Sequence, residues 1–480
     1  MAITSLTFIF FVGLVVVAFN LGDSARYRHA VLAVANIVFI ASQVGTALAL
    51  LPLLIFVAAG YPAVRWLRRG PLWGLALCLV LTIAAFIVLK RFAFLDGRLE
   101  LPFPYLTMGL SYCLFRLIHL LVDAQSGELP ERINPLSYFN YNCNFLCFVS
   151  GPIQRYQDFA ASDSQPVALD EAQVFRCFAR VIGGFVKVAV VSAALNYLFG
   201  QLSTSVLSAG APAGARFAAD FSAAAVLYTL YLYFNFSGYM DIVIGIGGLL
   251  GQRLPENFEQ PFAARNFLEF WTRWHITLSE WFKTYLFNPL LKALAGRFRS
   301  ASAMPWLGVV SFFVTFLVMG LWHGTTAVFV VYGLLLGGGA GANKLWQLSM
   351  TRRLGKAGYR ALAERAVYRY LCRGATFAYF ALALTCLWVD LAQLGDLLRS
   401  LGLAGVIGSF VLVTLAGALA MLAWSVVGTA LRAAAAGLPL PAGGAAGLIG
   451  RNVALAAQVL LILMASSFFH KAPEFVYRAF

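Results

Sequence analysis

The residue best placed to do chemistry is a histidine at the end of a long apolar run. His323 closes the run from Val309 to Trp322 and is followed by Gly324, Thr325 and Thr326. An imidazole removed from water has its charged form disfavoured. The neutral form is the one a general base needs to take a proton from an alcohol. Gly324 would let a substrate approach the backbone, and Thr325 offers a hydroxyl to a developing oxyanion. The competing reading is a packing histidine that hydrogen-bonds a carbonyl between helices. A second histidine, His275, lies in Arg273-Trp274-His275. Arg273, two residues away, disfavours its protonated form, and the ring would position a donor group or a water. Here the competing reading is an interfacial histidine beside Trp rings. No HxxxH pattern or cysteine cluster accompanies either histidine, so no metal is expected.

Around these two residues, polar side chains crowd among aromatics. Pro255-Glu256-Asn257-Phe258 reads as a turn in which Asn257 caps a helix with its side-chain oxygen, or else touches substrate. Tyr239 and Asp241 follow Ser237-Gly238. A carboxylate in an apolar run needs a partner, and Lys283 or Arg273 are the expected ones. No nucleophile elbow and no phosphate-cradling glycine loop is present.

The elements that must hold these residues are membrane helices. The 480 residues are 61% hydrophobic and 11% charged, against about 25% charged in a soluble protein. Apolar runs recur along the whole chain, which gives an all-α polytopic membrane protein. The runs lack the alternation of a barrel. About 11 transmembrane helices are expected, near 3–20, 29–59, 72–90, 104–123, 220–236, 239–252, 304–323, 326–348, 366–392, 403–432 and 449–470. Re-entrant or interfacial pieces are expected at 139–160 and 253–292, and 171–199 reads as an interfacial helix or as a span with a basic end. In the last, Pro255, Pro261 and Pro289 punctuate charges at three- or four-residue intervals, a pattern that lipid cannot solvate and a wet cavity can. The chain reads as one multi-pass domain, residues 1–480. Its net charge of +15 lies in short loops, as topology signal and contact with membrane lipid, with no nucleic-acid partner. The seven cysteines read as small buried hydrophobes. The N-terminal run lacks the basic flank of a cleaved signal.

The string SGYMDIVIGIGGLLGQRLPENFEQPFAARNFLEFWTRWHITLSEWFKTYLF, the later VMGLWHG, Leu110-Ser111-Tyr112 with Asp123, and SGPIQRYQDF at Ser150 to Phe159 together resemble the membrane-bound O-acyltransferase family over roughly residues 105–345. The similarity is to the bacterial branch of alginate acetylation (AlgI) and teichoic-acid D-alanylation (DltB). The ending EFVYRAF is similar to that of the AlgI group. The resemblance implies a multi-helix fold around a central funnel or tunnel in the bacterial inner membrane. It implies an acyl thioester donor (acetyl-CoA or an acyl carrier protein) and no bound cofactor. A separate periplasmic acetyltransferase or a polysaccharide acceptor would be the partner. It makes His323 and His275 the catalytic pair. Substrate contacts are then expected from Trp322, Gly324, Thr325, Asn257, Trp271, Arg273, Lys283, Tyr285, Tyr239 and Asp241. The chain departs from the family pattern at Lys283-Thr284-Tyr285, where Arg-Asp-Tyr is usual, and at Leu336, where a second histidine is usual. The alternatives are D-alanyl transfer, or a transporter or export subunit without chemistry. A transporter of the common kind would show internal repeats, and none is visible.

Overall fold

The computed structural model describes residues 1, 4–95, 97, 99, 101–164, 169–208, 214–300, 302–436 and 445–469. The EFVYRAF ending and part of the Ala- and Gly-rich stretch 433–447 lie outside the described residues. Among the described residues every regular element is a helix, apart from one bridge between Phe258 and Trp274. Nine of these helices are long and apolar enough to cross a membrane, and the chain is a multi-pass membrane protein.

The expected spans differ from the observed helices in several places, four of them with a local reason. The run 29–59 is two helices, Ala25–Ala41 and Leu51–Leu67, separated by Ser42 to Thr46 and a 3-10 turn. The expected break at Ser237-Gly238 is absent. Ala215–Leu249 is one helix of 35 residues, because nothing there removes a backbone donor and the glycine is used for packing. Glu171–Leu207, read as interfacial or as a span with a basic end, is a candidate span with a π-helical stretch at Val186–Ser192. Leu110–Ser126 is only 17 residues long and buried along nearly its whole length, so it is a core helix instead of a lipid-facing one.

The described chain forms two compact units. The first comprises 1–189 and 235–256, the second 190–234 and 257–469. In the first, Leu110–Ser126 is the centre. Its Arg116 donates to the carbonyls of Asn142 (2.6 Å) and Cys147 (2.8 Å), which secures an irregular stretch that has few backbone partners of its own. Its His119 accepts the Tyr156 N–H at Nε2 (2.9 Å), and Nδ1 lies 3.3 Å from Asp123. Gln157 donates to the same carboxylate at 2.7 Å. The motif residues from Ser150 to Phe159 are thus tied to Asp123 by a buried polar brace, as burial demands of such groups.

Two helix stretches in this unit approach through glycine. A Cβ on Gly184 would lie 2.6 Å from the Gly238 carbonyl oxygen, and one on Gly238 2.8 Å from that of Gly184. Arg180, Gly184 and Lys187 share a face by helical spacing, as do Gly238, Asp241 and Gly245. The close approach delivers both cations to Asp241, with Arg180 Nε at 3.0 Å and Lys187 Nζ at 2.6 Å. The Arg180 fork also grips Glu256 (2.7 and 2.6 Å).

The second unit is built on a helix hairpin, Met304–Trp322 and Val328–Glu364. Gly320 and Gly333 face each other so closely that a Cβ on Gly320 would sit 2.1 Å from the Gly333 Cα. Leu336 is fully buried in this hairpin, and a Cβ on the next residue, Gly337, would meet the Phe313 carbonyl oxygen at 2.7 Å. A long polar side chain at 336 would have no water to reach.

Candidate active site

Residues 257–282 of the second unit fold as short pieces because the sequence interrupts each helix early. Asn266 caps Phe267–Trp271 by accepting the Glu269 N–H (3.0 Å). The chain then turns back so that Phe258 bridges Trp274, Glu259 N–H donates to the Arg273 carbonyl (2.9 Å), and Ile276 N–H donates to the Asn257 carbonyl (3.0 Å). His275 lies inside this clamp in the left-handed region, φ 45° and ψ 52°. For a residue with a Cβ that conformation costs roughly 1–2 kcal/mol. Such strain persists only where the surroundings fix it, and it concentrates at functional sites.

Asn257 provides most of the fixing. Its Oδ1 accepts the Thr277 N–H (3.0 Å) and the Thr277 hydroxyl (2.9 Å), and lies 3.3 Å from His275 Nδ1. A backbone N–H only donates, so that atom is the amide oxygen, and His275 Nδ1 must then carry the proton. The lone pair of the neutral ring is left on Nε2. Asn257 therefore caps a helix as expected, but the helix is Ile276–Phe282, reached through space. Burial, reinforced by the neighbouring His323 imidazole, holds the His275 pKa well below the ordinary histidine value.

His323 is buried at the C-cap of Met304–Trp322. Its ring lies 4.9 Å from the Trp322 ring and 5.5 Å from that of Tyr332, centroid to centroid. Trp271 ties the re-entrant segment to the same helix, since its ring is 5.1 Å from Phe316. The Trp271 Nε1 is buried with no hydrogen-bond partner among the described residues. The chain bends after His323, with Thr325 half-buried in the bend. The space beside Gly324 is already filled, because a Cβ there would lie 2.0 Å from the Phe329 ring. The glycine accommodates that ring, where an open approach for substrate was expected.

The structure thus gathers His275, Asn257, Trp271, His323 and Trp322 in one unit. Tyr239 and Asp241 belong to the other, where Tyr239 donates to the Leu146 carbonyl (3.4 Å). The expected pairing of Asp241 with Lys283 or Arg273 does not occur. Helical spacing puts Arg180 and Lys187 beside Asp241 instead. Arg273 pairs with Glu269 (3.2 Å) and Lys283 with Glu280 (3.1 Å), each one turn away in sequence. Tyr285 lies in the π-helical stretch Lys283–Phe287, its ring 5.2 Å from Trp281. Sequence reasoning missed Thr277 and Tyr332, because a threonine or tyrosine in an apolar run carries no signal of what it will face.

Comparison with known proteins fits this arrangement. The chain is 29% identical over 281 residues to a probable alginate O-acetylase AlgI of Pseudomonas syringae, covering 57% of this chain and 50% of that protein. It is 30% identical over 228 residues to the probable alginate O-acetylase AlgI of Pseudomonas aeruginosa, covering 48% of this chain and 41% of that protein. It is 28% identical over 230 residues to the teichoic acid D-alanyltransferase of Bacillus subtilis, covering 47% of this chain and 56% of that protein. The chain spans about half the length of the curated relatives it matches. The model of the membrane-bound O-acyltransferase family matches residues 72–380, a stretch that takes in the histidine clamp, the helix hairpin and the brace around Asp123. On that match over well more than half of its residues, the chain belongs to the membrane-bound O-acyltransferase family.

Proposed function

We propose that this protein is an O-acyltransferase of the bacterial inner membrane. It takes an acyl group, acetyl in our reading, from a cytoplasmic thioester such as acetyl-CoA or an acyl carrier protein. The group is passed towards a secreted or cell-wall polysaccharide, with a separate periplasmic acetyltransferase completing delivery. The observation that carries the reading is the pair of buried imidazoles, one of them strained and held in a single tautomer by Asn257. In the step proposed, His323 takes the proton of an acceptor hydroxyl as that oxygen adds to the thioester carbonyl carbon. The C–S bond then breaks, and the leaving sulfur recovers the proton from the imidazolium. His275 orients the donor through its Nε2 lone pair. Proton transfer by a positioned base contributes ~10²–10⁴-fold.

The test is consumption of labelled acetyl-CoA by the purified protein with a glycan acceptor and a periplasmic acetyltransferase. His323→Ala should insert in the membrane normally and lose at least ~10²-fold in acyl transfer. Wild-type turnover by that variant would end the proposal. D-alanyl transfer is the second reading, favoured by the similarity to the Bacillus subtilis D-alanyltransferase. A carrier protein loaded with labelled D-alanine, offered in the same assay, separates the two.

A further inference from the structure

A cavity of about 830 Å³ opens within the second unit, a size typical of ligand sites. It is bounded by faces of five helical stretches, Phe267–Trp271 among them, and by the loop before that short helix. Gly355 creates one of these faces. At φ 69° and ψ 167° it takes a backbone conformation open mainly to glycine, and the helix changes direction there. The following piece, 356–364, then presents Lys356 and Arg360, one turn apart, to the cavity. Arg369 faces it from Ala366–Ala383, and Arg265 from the loop.

Of these four cations, three have no carboxylate partner among the described residues. Glu269 is the one carboxylate in the lining, and its oxygens are engaged by the Arg265 N–H (3.0 Å) and Arg273 Nε (3.2 Å). The Arg265 guanidinium pairs with Glu364 at 2.9 Å. Lys356, Arg360 and Arg369 form no ion pair with any described carboxylate. The Arg369 Nε is buried with no hydrogen-bond partner among the described residues. Three like charges converging on one concavity repel one another, and an anion relieves this. Guanidinium forks and an ammonium are the groups that hold phosphate. The lining also holds aromatic side chains, among them Trp346, whose Nε1 donates to the Tyr368 hydroxyl (3.1 Å).

We propose that this cavity binds a phosphate ester. Lys356, Arg360 and Arg369 hold the anionic group, and Trp346 and Tyr368 receive the apolar or planar remainder. The same chemistry is offered by the headgroup of an anionic phospholipid and by a soluble nucleotide-type phosphate ester. The proposal does not depend on acyl transfer, and His323→Ala should bind like the wild type.

The experiment uses the full chain in phosphatidylcholine nanodiscs. One arm adds phosphatidylglycerol to the nanodisc and reads its retention by native mass spectrometry. The other adds radiolabelled AMP, a phosphate ester without the pantetheine thiol of the acyl donor, and reads equilibrium binding. At least one probe should bind one-to-one, and K356Q/R360Q and R369Q should each weaken it roughly tenfold or more. Retention of phosphatidylglycerol alone identifies a lipid site, and of AMP alone a soluble-ligand site. The charge-preserving K356R/R360K variant should keep most of the affinity and so separates lost charge from lost folding. No saturable binding of either probe, or binding that both charge-removing variants leave intact, overturns the proposal.

Discussion

Asn257 is the residue on which the candidate site turns. One oxygen serves three hydrogen-bonding groups, and all three are buried. Removing it takes this acceptor from the buried Thr277 N–H and hydroxyl, at a cost of about 1–3 kcal/mol for each buried group left unsatisfied. It also releases the His275 ring from its tautomer. We therefore expect Asn257→Ala to lower the melting temperature in detergent and to cut acyl transfer at least tenfold. Asn257→Asp keeps the acceptor oxygen but brings a charge into a dry site, so it should fold poorly and not rescue. If Asn257→Ala turns over like the wild type, the tautomer argument fails. The cap itself was legible in the sequence. Which helix it would cap was not, because the partner lies twenty residues downstream and reaches Asn257 only when the chain folds back.

At the scale of elements, glycine spacing decides how closely helices approach, and close approach decides which polar groups meet. The Met304–Trp322 and Val328–Glu364 hairpin shows this at Gly320. A methyl group there meets backbone, which cannot rotate away as a side chain does. Gly320→Ala should therefore destabilise by about 1–3 kcal/mol, the usual range for overpacking. Because the helix carries His323 at its end, acyl transfer should fall with stability. Thermal melting of the purified variant alongside its turnover is the check, and a melting point unchanged from wild type would contradict the packing observed. The same logic explains Asp241. Its partner was misassigned to Lys283 or Arg273 because the sequence shows that a buried carboxylate needs a cation, but not which cation. The Gly184–Gly238 contact settles the matter in favour of Arg180 and Lys187.

For the whole molecule, buried neutral histidine links stability to pH. The His275 pKa is depressed by burial, whereas in the unfolded chain it would return to about 6.5. Below that value the unfolded state binds a proton that the folded state refuses. Stability should therefore be intact at pH 7.5 and fall as pH drops below about 6.5, by at most ~1.4 kcal/mol per pH unit for this one group. Melting curves from pH 7.5 to 5.5 should show the loss, and His275→Gln should reduce it. Equal slopes for the two proteins would show that His275 is not the group responsible.

The amino-acid sequence was enough to read the class of molecule. Hydrocarbon-rich runs of span length, too few charges for a soluble surface and a dense motif string were sufficient for a multi-pass helical acyltransferase-family protein, because burial in lipid leaves the backbone little choice but helix. It also located His275 and His323, since ionisable residues in apolar runs stand out. The folded chain was needed to show which helices merge or split, that Gly324 makes room for Phe329, and that the oxygen of Asn257 fixes the His275 tautomer. It alone gathered Lys356, Arg360 and Arg369 around one cavity. The physical reason is range. Hydropathy and helix periodicity act over a few turns and are written in neighbouring residues. Ring packing, caps reached through space and ion pairs depend on chain reversals that local sequence does not encode.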